Sequence, residues 1–113
     1  MKTLITGNIY LPNDAPEFEN ATIYIWLEAV GMMDMPAQVV VESVLSNVQY
    51  QGVALPFTVA GSLDEHEGAY NVRAHVSMHG EDDVRRGDYV SKRAYPVLQD
   101  RHPDTVDIRV ERV

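Results

Sequence analysis

The 113-residue chain contains no cysteine. That excludes disulfides, thiol nucleophiles, thiolate-bound metals and a lipid carried on an N-terminal cysteine. Long apolar runs are missing too. The start, "MKTLITGNIY", lacks the apolar core of a signal peptide, and no later segment approaches a membrane span. As written, the chain is expected in the cytoplasm without membrane insertion; if an exported leader was removed, the periplasm or outer-membrane surface applies. Positive charge is scarce, with nine Lys and Arg against seventeen Asp and Glu, a net charge of −8. That balance repels phosphates, so no nucleic-acid partner is expected. The basic pairs Arg85-Arg86 and Lys92-Arg93 stand among Asp82, Asp83 and Asp88. Also absent are G-x-S-x-G, a glycine-rich phosphate loop and H-E-x-x-H. Neither enzymatic activity nor a cofactor is expected.

What is present is period two. In residues 21–29, Ala21, Ile23, Ile25, Leu27 and Ala29 alternate with Thr22, Tyr24, Trp26 and Glu28. In 70–78, Tyr70, Val72, Ala74, Val76 and Met78 oppose Asn71, Arg73, His75 and Ser77. In 105–111, Val106, Ile108 and Val110 oppose Thr105, Asp107, Arg109 and Glu111. A helix scatters such positions around its axis; a pleated strand gathers them on one face. Four further strands are expected, at 3–11, 38–49, 53–60 and 88–97. Gly7 reads as a bulge or a point of close approach, and Pro56 as the mark of an edge or bend. The drifting register of "QVVVESVLSNVQ" reads as a long strand with a bulge, with a helix the weaker option.

Seven strands with one apolar face each must pack face to face. The expectation is an all-β, single-domain β-sandwich over residues 1–113, immunoglobulin-like or transthyretin-like, with a closed small barrel as the alternative. Exposed edges are compatible with a monomer or a homodimer.

Several clusters invite chemistry. His75 and His79 lie about 13 Å apart along a strand, too far to hold one metal, and read as exposed residues. "SLDEHEG" and "HGEDDVRRGD" lack the regular D-x-D-x-D-G ladder of a Ca²⁺ loop and read as solvated turns, so no metal site is assigned. A small hydrolase would need two carboxylates from Asp34, Asp64, Glu65, Asp82 and Asp83 in one cleft. The aromatic signal weighs more. Tyr24 and Trp26 fall on the polar face of a well-patterned strand, and "GMMDMP" adds Met32, Met33 and Met35 in one loop. These five are the candidate binding residues for a protein or peptide segment. The alternative is a carbohydrate-binding domain for cell-envelope polysaccharide, with Tyr24 and Trp26 as a stacking platform.

The order of "GNIYL", "IYIWLEAVGMMDMPAQVV", "LPFTV", "YNVRAHVSMHG" and "RAYPVL", spanning residues 5–98, resembles the YbaY/YscW-type family of small β-sandwich lipoproteins. That family includes type III secretion pilotin chaperones. The resemblance implies a non-enzymatic domain that captures a short segment of a secretin on a sheet edge or in an apolar groove. It transfers no catalytic residue. The chain departs from the family in lacking a lipid-accepting Cys, and "QDRHPDTVDIRVERV" adds a further amphipathic strand. Within "YNVRAHVSMHG", Arg73 and His75 read as solvent-side residues pairing with acidic neighbours across strands.

Overall fold

The computed structural model describes residues 2–30, 37–63, 69–98 and 104–113. Eight strands follow in order: β1 (Lys2–Tyr10), β2 (Phe18–Val30), β3 (Gln38–Tyr50), β4 (Leu55–Gly61), β5 (Ala69–Ser77), β6 (Tyr89–Ser91), β7 (Tyr95–Val97) and β8 (Thr105–Arg112). No helix occurs among the described residues. The alternating segments form strands because their β-branched residues fill one face of a pleat. In β4 the alternation is strict, with Leu55, Phe57 and Val59 inward and Pro56 outward.

The neighbours run β3-β2-β5-β6-β8-β1-β4, and β7 also pairs with β5. This corrects the sandwich expectation toward its alternative: the sheet is a nearly closed barrel. The physical reason lies in β8. Its first part runs parallel to β1, with Thr6 opposite Thr105 and Tyr10 opposite Arg109. Its last part runs antiparallel to β6, with Ser91 opposite Val110. One strand thus hydrogen-bonds to both halves, which in a sandwich would stay separate. At the remaining seam, between β3 and β4, Ser43 Oγ donates to the Thr58 carbonyl at 3.2 Å.

The interior holds Ile5, Ile9, Ile23, Ile25, Leu27, Val59, Val72, Val76 and Ile108, all fully buried. Each contributes roughly 1.5–3 kcal/mol by leaving water. Gly7 is the point of close approach: a Cβ there would overlap the Val106 carbonyl and come within 2.9 Å of the Phe57 ring. The expected drift in β3 appears as three register shifts against β2 and a positive φ of 57° at Asn47. Pro56 lies on β4, an end of the sheet.

The segment 88–97 is two short strands, not one. β6 pairs with His75 and Val76, whereas β7 pairs with residues 70–72 of the same strand. Between them Ser91 Oγ bonds the Ala74 N–H at 3.0 Å and its carbonyl at 3.4 Å. A serine side chain thereby stands in for the interrupted ladder.

Candidate functional site

Register fixes what stands on the outer face of β3, β2 and β5. Tyr24 lies between Val44 and His75, Trp26 between Glu42 and Arg73. The rings of Tyr24, Trp26 and His75 lie 5.8–6.3 Å apart, within 10–24° of parallel. Trp26 is only 8% exposed. Its Nε1–H donates to Glu42 at 2.7 Å, and the Arg73 guanidinium sits 4.2 Å over its ring. Arg73 in turn bonds Glu28 at 2.9 Å. Tyr24 is half-buried and donates from its hydroxyl to the Gly80 carbonyl at 2.7 Å. Its pKa is raised by partial desolvation, then by Asp82, Glu42, Glu81 and Asp83, which together make its surroundings negative. Beside these rings Val39 and Val44 on β3 are exposed.

Beneath the loop after β5 lies a polar centre built on Asp88, 1% exposed. One carboxylate oxygen accepts from the Met78 N–H at 2.9 Å. The other meets His75 Nε2 at 2.8 Å, the Arg85 N–H at 3.0 Å and His79 Nε2 at 3.2 Å. Burial pushes this carboxyl upward, but the bonds from Met78, His75 and Arg85 outweigh it and hold the pKa below the usual range. His75 is 1% exposed. This overturns the solvent-side reading of His75: the Tyr24 and Trp26 rings stack beside it, and Asp88, at the end of the 78–88 loop, meets its Nε2. Arg73, by contrast, is exposed and pairs with an acidic neighbour across strands, as expected. Asp88 carries no local signal. It meets His75 and His79 only through the 78–88 loop, and a carboxylate that ends "RRGD" reads as one more surface charge.

His79, Glu81 and Asp83 bring one ligand atom each within 4.8 Å of one another. Arg85 already engages both carboxylates, Asp83 at 2.9 Å and Glu81 at 3.4 Å. The bond to Asp83 depresses that carboxyl's pKa and raises that of Arg85. A cation here must compete with a resident guanidinium.

Of the five candidate binding residues, Tyr24 and Trp26 are brought side by side. Met32, Met33 and Met35 lie outside the described residues, as do Asp34, Asp64 and Glu65.

No protein-family profile matches the chain, and no curated protein matches it. Among solved structures it is similar to an alternative pilotin from the type II secretion system of Vibrio cholerae. The two share 23% identity and superpose with a TM-score of 0.77, over 96% of this chain and 95% of that one. The likeness shows a common fold.

Proposed function

We propose that this chain is a non-enzymatic binding module of the pilotin kind, which captures a short segment of a secretin. The observation that carries the reading is the near-complete superposition on an alternative pilotin. The YbaY/YscW-type resemblance of residues 5–98 points the same way, and both favour a setting in the cell envelope. The proposed surface is the outer face of β2 and β3, around Tyr24, Trp26 and Val44, with Met32, Met33 and Met35 following directly on β2 in the sequence.

Its chemistry suits a segment that is both apolar and basic. Val39 and Val44 offer exposed hydrocarbon, and Asp82, the carboxylate near Tyr24 not engaged by Trp26 or Arg85, favours an incoming lysine or arginine. Sugar stacking on Trp26 fits less well, because Arg73 already occupies a ring face.

The test is fluorescence anisotropy with synthetic peptides tiling the secretin encoded in the same genome. One peptide is expected to bind, and Val44→Lys to weaken it at least about tenfold, since a hot-spot change costs more than ~1.4 kcal/mol. Val44 is exposed, so the melting temperature should stay put. Trp26→Ala should also abolish capture, but it removes a buried ring and a hydrogen bond, so it must be scored beside a stability measurement. A full peptide set with no binder would end the proposal.

A further inference from the structure

On another part of the barrel surface a groove of about 610 Å³ runs between the end of β1, the β6–β7 bend and the end of β8. Its lining gathers Lys92, Arg93, Arg109 and Arg112, four of the nine basic residues of an acidic chain. One carboxylate, Glu111, lines it as well. Of the four other described cations, Lys2, Arg73, Arg85 and Arg86, two are ion-paired. Arg73 is paired with Glu28, and Arg85 with Asp83 and Glu81. None of the four groove cations has an ion-pair partner among the described residues.

The groove also holds its guanidiniums in place. Arg93 lies 5.0 Å over the Tyr95 ring, and Arg109 lies 5.4 Å over Tyr10. Tyr95 is itself fixed, because its hydroxyl accepts from the Arg109 N–H at 2.9 Å and donates to the Arg109 carbonyl at 3.3 Å. A guanidinium resting on a ring leaves its N–H edge free for a bidentate oxyanion. Four like charges against the one counter-charge of Glu111 repel one another, and a bound anion relieves that repulsion.

We infer that this groove binds a phosphate ester. A carboxylate brings one negative charge, too little for the three positive charges in excess of Glu111. A phosphate monoester carries between one and a half and two charges at neutral pH, roughly, and three acceptor oxygens that two guanidiniums can share. Leu11 and Pro12 form an apolar wall for the organic part of the ester. The net charge of −8 opposes an anion at long range. Screening confines that opposition to about 8 Å at physiological salt, inside which the groove's own charges decide. The phosphate can come from a soluble monoester or from the headgroup of phosphatidic acid, which is itself a phosphate monoester.

Amide chemical-shift titrations of the full chain distinguish these sources. The probes are glycerol 3-phosphate, then phosphatidic acid vesicles against phosphatidylcholine vesicles. Saturable shifts are expected at Tyr10, residues 92–95 and residues 109–112. Saturation by the soluble ester identifies a free phosphate as sufficient; a response to phosphatidic acid vesicles alone identifies a lipid headgroup. Arg93→Gln with Arg109→Gln should weaken binding at least about tenfold, the scale of losing one or more charge-assisted bonds. The same variant should melt within a few degrees of the parent, since the two lost guanidinium–ring contacts and the relieved repulsion oppose each other. The inference fails if no probe gives saturable shifts up to about 10 mM, a limit weaker than specific binding. It fails equally if a tetraglutamate peptide occupies the groove more tightly than the phosphates.

Discussion

Replacing Asp88 with alanine is expected to destabilise the protein by about 3–5 kcal/mol at pH 7, read by urea denaturation. The carboxylate is buried and receives the Met78 and Arg85 N–H groups and His75 Nε2. Removing it leaves those donors facing a dry cavity, and each orphaned group costs roughly 1–3 kcal/mol. The milder change Asp88→Asn keeps the volume and one acceptor but turns an amide NH₂ toward donors, so an intermediate loss is expected. The pH dependence follows from the lowered pKa of Asp88. A carboxyl whose folded value lies below its unfolded one, near 4, stabilises the fold fully above that unfolded value. The contribution disappears as pH falls through the folded value. The gap between parent and Asp88→Ala should therefore be wide at pH 7 and shrink in acid below about pH 4. A loss under about 1 kcal/mol at pH 7 would show that the 78–88 loop is held by something else.

The second large effect belongs to a residue with no side chain. Gly7→Ala is expected to cost more than about 3 kcal/mol, beyond the usual range for overpacking, and Gly7→Val to prevent folding. The added methyl meets the Val106 carbonyl, which is backbone and cannot rotate aside, and the Phe57 ring behind it. Gly7 lies opposite Val106 on one side and Phe57 on the other, so relief requires parting β1 from β8 or β4. Parting β1 from β8 would detach β1 and β4 from the strand that links them to β6. Gly52→Ala serves as the control. Nothing lies within 4 Å of its Cβ position, so only the strain of a φ of 86° remains, roughly 1 kcal/mol. Thermal melts that rank Gly52→Ala as the more damaging change would refute the close-approach account.

Much of the fold was legible in the order of residues. The strand at 21–29 buries Ala21, Ile23, Ile25 and Leu27, and that at 105–111 buries Ile108 and Val110, on the apolar faces their alternation defines. Pro56 falls on a terminal strand because a missing N–H is harmless where no neighbour needs it. The site was legible only in part. Tyr24 and Trp26 stand out on a polar face, but nothing in the sequence shows that Arg73 covers one ring or that Glu42 anchors it. His75 reads as wet because every second residue of its strand on that side is polar. Its burial comes from the Tyr24 and Trp26 rings on the neighbouring strand and from Asp88, thirteen residues later in the chain.

Alternation is a local property: the pleat repeats every two residues, so seven stretches of chain could declare themselves strands and name their inward side chains without reference to one another. Closure is not local. Whether β8 leaves β1 to join β6, which cations meet in a groove at Tyr10 and Tyr95, and which histidine finds a buried carboxylate all depend on registers between distant segments. Those registers are set by packing and hydrogen bonding across the whole sheet, and only the folded barrel contains them.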